Sequence, residues 1–124
     1  MTKIVLIDDK KIFLERFVET WQDQFSNFEI LTYNHPLSFF KDCNQQMFEH
    51  DIRAIIIDKI GPGYDAERNK FADEFRKHFP NFEGHLVLCS SCFHKNQPEK
   101  LTVPGFDRVC TKREVIDVLK DLLG

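Results

Sequence analysis

The sequence predicts an α/β domain in which a five-stranded parallel sheet is doubly wound, with helices on both faces. Three observations carry that expectation. Short unbroken apolar runs, "KIVLID" (3–8), "RAIIID" (53–58) and "HLVLCS" (85–90), have the make-up of strands buried on both faces. Between them the apolar residues recur at helical spacing instead. The two patterns alternate five times along the chain, which implies right-handed βαβ crossovers and hence a parallel sheet.

Each element has its own signal. Phe13, Leu14, Phe17, Val18, Trp21 and Phe25 predict an amphipathic helix over 10–25, after the first strand. "FEILTY" (28–33) reads as the second strand. His35-Pro36 opens a second helix, proline being acceptable in a first turn, with Leu37, Phe40, Cys43, Met47 and Phe48 as its apolar side. "RAIIID" is the central strand. Phe71, Phe75 and Phe79 repeat every four residues and predict a core-facing helix over 65–79, which Pro80 stops. After "HLVLCS", the stretch "SCFHKNQPEKLTVPG" (91–105) is the place for a fourth helix, but Pro98 interrupts it. "FDRVCT" (106–111) is the last strand, and Val115, Val118, Leu119 and Leu122 mark a C-terminal helix.

Composition narrows the function. At 124 residues the chain is one domain, 1–124, and its 42% apolar content supplies a core without disulfides or metal. A net charge of −3 argues against a general electrostatic grip on nucleic acid or an anionic membrane. No apolar run approaches the roughly 20 residues a membrane span needs, and acids follow "IVLI" too soon for a signal peptide. The expected location is the cytoplasm, where Cys43, Cys89, Cys92 and Cys110 would be reduced thiols.

The central strands end in acids. Asp8 and Asp9 close the first and Asp58 the third. An open parallel sheet binds its ligand beyond the carboxyl ends of its strands, at the switch point, so these carboxylates converge if the first and third strands are neighbours. Clustered carboxylates repel one another, and a bound cation relieves that repulsion. Few carboxylates plus water suit Mg²⁺ shared with a phosphate. Ser90 closes the fourth strand and Lys112 follows the fifth, a hydroxyl and an ammonium that would complement phosphoryl oxygens. An aspartate can itself be the nucleophile, giving an aspartyl-phosphate.

In this arrangement the chain resembles, nearly end to end, a receiver domain of two-component signalling. That family has an acidic pair after the first strand, a phosphate-accepting Asp after the third, Ser or Thr after the fourth and Lys after the fifth. These positions fall on Asp8, Asp9, Asp58, Ser90 and Lys112, with a Pro four residues past the acceptor (Pro62) and an Asp soon after (Asp65). The resemblance implies a flavodoxin-like (βα)5 fold with strand order 2-1-3-4-5. It implies that Asp58 accepts a phosphoryl group from a histidine kinase or phosphotransfer protein, or from a small phosphodonor. Asp9, Asp58 and the Ile60 carbonyl would hold Mg²⁺, Asp8 helping through water, while Ser90 and Lys112 bind the phosphate. Output would be altered binding of a downstream protein, with no output domain, no direct nucleic-acid contact and no enzyme activity beyond the domain's own phosphotransfer.

The chain departs from the family at Ala66, where Gly is usual, at Arg113, where Pro follows the lysine, and at Val109, the usual aromatic switch position. Those departures favour an alternative: a degenerate receiver acting as a constitutive binding module. Ile60 and Cys92, at positions that influence phosphate lifetime, predict slow self-dephosphorylation. Other readings of the same residues are plainer. Asp8 and Asp9 would simply cap the first helix, and Asp58 would be an ordinary turn residue before Gly61-Pro62-Gly63. "CSSC" (89–92) with Cys110 and His94 or His85 would suit zinc, but thiols within strands are more often core packing. An aspartate-nucleophile phosphohydrolase needs a second Asp two residues on, where Ile60 and Lys10 stand instead.

Overall fold

The computed structural model describes residues 2–24, 26–43, 50–61, 63–90 and 103–123. Thr2–Ile7 (β1) leads into helix Lys11–Gln24 (α1), then Phe28–Tyr33 (β2) and helix Pro36–Asp42 (α2). Ile52–Asp58 (β3) is followed by a two-stranded hairpin, Ile60–Gly61 (β4) and Tyr64–Asp65 (β5), turning through Gly63 at a φ of 69°. Helix Phe71–His78 (α3), His85–Ser90 (β6), Arg108–Thr111 (β7) and helix Val115–Leu123 (α4) complete the order.

The five long strands form one parallel sheet in the order β2-β1-β3-β6-β7. Counting those strands alone, this is the 2-1-3-4-5 order expected. Strand periodicity divides the core in two. On one face Val5, Ile7, Ile55, Ile57, Leu86 and Leu88 meet the aromatic residues of α2 and α3 and the turn after α3. On the other, Ile4, Leu6, Ile56, Val87, Cys89 and Cys110 meet Phe17 and Trp21 of α1 and Val115, Val118 and Leu119 of α4. Phe75 lies at the centre of the first face, 5.0 Å from both Phe79 and Phe82 and 6.2 Å from Phe39 between ring centroids. Each such fully buried ring contributes about 1.5–3 kcal/mol, so the Phe71–Phe75–Phe79 stripe is core, as its spacing predicted.

Three elements differ from the expected bounds. The helix expected over 65–79 starts only at Phe71. The Asp65 carboxylate accepts the N–H groups of Glu67 and Arg68, each at 2.9 Å, and Asn69 Oδ1 accepts the Asp65 N–H at 2.9 Å. Such local side-chain bonds offer the backbone an alternative to the helix, and Lys70 then enters α3 from the left-handed region, φ 55°. The last strand begins at Arg108 rather than Phe106, because the Asp107 carboxylate takes the Leu86 N–H (2.7 Å) that a ladder carbonyl would otherwise accept. The second helix is described to Asp42. Met47, Phe48 and nearly all of the 91–105 stretch proposed for a fourth helix lie outside the described residues. Among the described residues, no helix is long and apolar enough to cross a membrane.

Candidate functional site

Register carries the acids to one edge of the sheet. Ile7 lies beside Tyr33 on one side and Ile57 on the other, so Asp8 and Asp58 leave adjacent strands at the same level. Asp58 in turn pairs with Cys89, and Ser90 with Thr111, which sets Ser90 and Lys112 at the same end of the sheet. Asp8, Asp9 and Asp58 each present a carboxylate oxygen, all within 4.8 Å of one another. Among the described residues this is the one converging group of three or more metal-ligating side chains.

Asp8 is buried, 3% exposed, and its two oxygens do different jobs. Oδ1 accepts the Lys10 N–H at 2.8 Å and so fixes the loop entering α1. Oδ2 faces the Lys112 ammonium at 2.9 Å. The Lys10 N–H precedes α1, so the Oδ1 bond closes a turn before the helix rather than capping a helical N–H. The same ammonium is 3.9 Å from Asp58 Oδ2. The 2.9 Å pair is close but not aligned as a hydrogen bond, which leaves both atoms capacity for a further partner. Lys112 is placed through its backbone, whose N–H donates to the Ser90 carbonyl at 3.0 Å. The loop after Asp58 is pinned in the same way, Lys59 N–H donating to the Cys89 carbonyl at 2.7 Å.

The electrostatics follow from this crowding. Burial, then the neighbouring Asp8 and, more weakly, Asp9 push the Asp58 carboxyl up to about 6, against the opposing pull of Lys112. Burial alone would lower the Lys112 ammonium, but Asp8 and Asp58 outweigh it and the net shift is upward. Formally, three carboxylates facing one ammonium leave two negative charges, the charge one divalent cation supplies. Beside them is a cavity of about 20 Å³, bounded by the three aspartates, His35 and Tyr64. That is room for one water-sized particle. Hard oxygen donors, uncompensated charge and space for a single small particle together fit one divalent cation.

The other expected residues fall as follows. Ser90 is buried, 9% exposed, at the end of β6. Ile60 opens β4, its backbone paired with Asp65. Asp65 serves the turn before α3. Ala66 is fully buried in the aromatic core with no left-handed backbone, so its methyl is accommodated where Gly is usual in receivers. Val109 packs on that same core, and Arg113 is exposed. Pro62, Cys92 and His94 lie outside the described residues. Cys89 and Cys110 face each other across β6 and β7. Their mutual hydrogen bond, with burial, drives the Cys89 thiol far upward, the behaviour of an unreactive core thiol. His85 starts β6, at the opposite end from Ser90.

Two groups at this edge were not singled out by the sequence. His35 caps α2, its Nδ1 accepting the Leu37 N–H at 3.0 Å, and its ring meets Tyr64 edge-on at 5.7 Å. Phe13, expected only as core, lies under the Lys112 ammonium at 4.6 Å. His35 follows the end of β2 by two residues, which was the available signal; helical spacing hid Phe13, which lies in the first turn of α1.

No protein-family model matches this sequence, and no curated protein matches it either. Solved structures do. The response regulator TrrA from Thermotoga maritima, in complex with Mg²⁺-BeF, superposes with a TM-score of 0.71 at 21% identity, over 98% of this chain and 99% of that one. The chain has the receiver-domain fold. The chemotaxis protein CheY4 of Vibrio cholerae gives 0.68 at 12% identity, over 98% of both chains. A response regulator from Burkholderia pseudomallei, described with a phosphorylated aspartic acid and a calcium ion, gives 0.69 at 9% identity over the whole of this receiver-like chain and 67% of that protein.

Proposed function

We propose that this chain is a phosphoacceptor receiver, with Asp58 as the acceptor and residues 1–124 as its single domain. The observation that carries the reading is the convergence of Asp8, Asp9 and Asp58 within 4.8 Å, with Lys112 at 2.9 Å from Asp8 and 3.9 Å from Asp58. The receiver fold, and neighbours whose names include a Mg²⁺-BeF complex and a phosphorylated aspartic acid, support it.

In the reaction an Asp58 oxygen attacks the phosphorus of a partner's phosphohistidine. The new O–P bond forms as the N–P bond breaks and the imidazole leaves. Asp58 must be ionised to attack, and a carboxyl pushed up to about 6 is still mostly carboxylate at pH 7. Asp8, Asp9, Asp58 and the Ile60 carbonyl would hold Mg²⁺, which supplies charge neutralisation for the incoming phosphoryl oxygens. Lys112, already within 3.9 Å of Asp58, would bind one of those oxygens and the Ser90 hydroxyl would donate to another. The difference in affinity for the phosphate between two conformations would then shift their populations, and a downstream protein would read the shift. The partners are thus a histidine kinase or phosphotransfer protein and a protein target, in the cytoplasm, without nucleic-acid or membrane contact. Its chemistry would be confined to its own phosphotransfer and dephosphorylation.

Val109, small and packed in the core where receivers carry a mobile aromatic, favours a second reading: a constitutive binding module. One experiment separates the two. Intact-protein mass spectrometry after incubation with acetyl phosphate and Mg²⁺ should show a single phosphoryl gain. The gain should vanish in EDTA and in Asp58→Asn. No gain by folded protein, beside a working control receiver, would leave the binding module.

A further inference from the structure

We propose that Phe13 is a positioning residue of the site: its ring holds the Lys112 ammonium against the acids, ready for the phosphoryl oxygens. The inference rests on the receiver reading for its chemistry and on this structure for its geometry. Lys112 is a long, flexible side chain on the turn after the short edge strand β7, and nothing in that turn fixes its head. Two attractions do. The acids draw it from one side, Asp8 at 2.9 Å and Asp58 at 3.9 Å. The Phe13 ring lies 4.6 Å from the ammonium, within cation–π range. The lysine side chain is only 13% exposed, so water weakens the ring's attraction little.

The ring is itself held. Phe13 rests on Phe17, 6.2 Å between centroids, and Phe17 stacks on the fully buried Trp21 at 5.8 Å with planes 9° apart. These residues recur every four positions along α1, so the helix presents a column of rings ending beneath the lysine. An ammonium drawn only by carboxylates would be free to follow whichever acid was least occupied when a cation entered. The ring supplies an attraction that does not change with the charge state of the acids. It keeps the ammonium near Asp58 while Asp8 is engaged elsewhere.

The test compares Phe13→Leu, which keeps apolar volume but removes the ring, with Phe13→Tyr, which keeps the ring. With saturating Mg²⁺ and acetyl phosphate, Phe13→Leu should accept phosphate about 5- to 30-fold more slowly, the range a partly desolvated cation–π contact spans. Mg²⁺ affinity should change less than about twofold, since the metal's ligands are the acids, and Phe13→Tyr should restore the rate. Combined with Lys112→Ala, Phe13→Leu should add no further slowing. Unchanged rates in Phe13→Leu, or equal slowing with and without Lys112, would overturn the proposal. A readout independent of phosphorylation is the NMR shift of the Lys112 ε-methylene in metal-free protein. The Phe13 ring current should move it away from the other lysines, in the wild type and Phe13→Tyr but not in Phe13→Leu. Wild type that takes no phosphate but shows this shift would end the receiver reading and keep the placement of Lys112; absence of the shift would end the placement itself.

Discussion

The acidic and basic halves of the pocket are built in different ways. The acids stand at the carboxyl ends of β1 and β3, two interior strands, and the residues just before them, Ile7 and Ile57, are 2% and 1% exposed. Register alone brings Asp8 and Asp58 together, and no side chain needs to adapt. Lys112 instead sits on a turn after a four-residue edge strand and reaches back to the acids by its full length. The turn is held by a backbone bond to Ser90 and by a local pair, Thr111 N–H and Oγ donating to Glu114 at 3.0 and 2.8 Å. Repulsion thus sits in the half that strand register fixes, and the compensating charge in the half that reaches it through one long side chain. Such an arrangement suits a site that must admit first a cation and then a phosphoryl group.

The largest effect expected from breaking that division lies on the basic side. Lys112→Ala should slow phosphoryl acceptance by about 10²-fold, the loss typical for one preorganised partner of developing charge. The same substitution should tighten Mg²⁺ binding by roughly 3- to 10-fold, because the ammonium no longer competes for Asp8 and Asp58. Calorimetric titration beside the mass-spectrometric rate checks both. Weaker Mg²⁺ binding would mean that Lys112 supports the acids rather than opposing the metal.

Next in size is a stability effect on the acidic side. Asp58 is pushed up to about 6 from an ordinary 3.8, so the folded state holds its proton to higher pH than the unfolded chain. Stability is therefore intact below about pH 4 and is lost as pH rises toward 6. Asp58→Asn removes that loss. In EDTA at pH 7 it should stabilise the fold by about 1–2 kcal/mol, after allowing for solvent screening of a half-buried group. The melting temperature should rise by several degrees, and the gain should disappear near pH 4. A variant less stable than wild type at pH 7 would show that the acids are not in conflict.

The same contrast explains what was legible in the sequence. Strands buried on both faces are continuous apolar runs, so β1, β3 and β6 stood out, with the acids that end the first two, and the five-strand order followed the expected pattern. Side chains that act locally did not. The turn chemistry of Asp65 and Asn69 erased one and a half turns of expected helix without altering the Phe71–Phe75–Phe79 period. His35 read as a helix opener, which it is, and its place beside the acids depends on Tyr64 in a hairpin that no periodicity marks. Phe13 fitted the core stripe of α1 and packs against that core, but it lies in the helix's first turn, where its ring also meets the lysine.

The smallest effect belongs to the turn that carries Lys112. Glu114 is held below its ordinary 4.5 by the Thr111 backbone N–H and then by the Thr111 hydroxyl. Both bonds run from Thr111 to one Glu114 oxygen and close the turn that precedes α4. A depressed carboxylate stabilises the fold above its unfolded range, and that contribution is lost as pH falls through the folded value, the reverse of Asp58. Because Glu114 is exposed, Glu114→Gln should cost only about 0.3–0.5 kcal/mol at pH 7. Melting curves in EDTA across pH 3 to 8 should therefore show two opposite trends. The Asp58→Asn gain should grow with pH while the Glu114→Gln loss grows with it, each fading in acid. If Glu114→Gln also slows phosphoryl acceptance by more than about twofold, the turn itself helps place Lys112. An unchanged rate would assign that placement to the Ser90 carbonyl and the ring of Phe13.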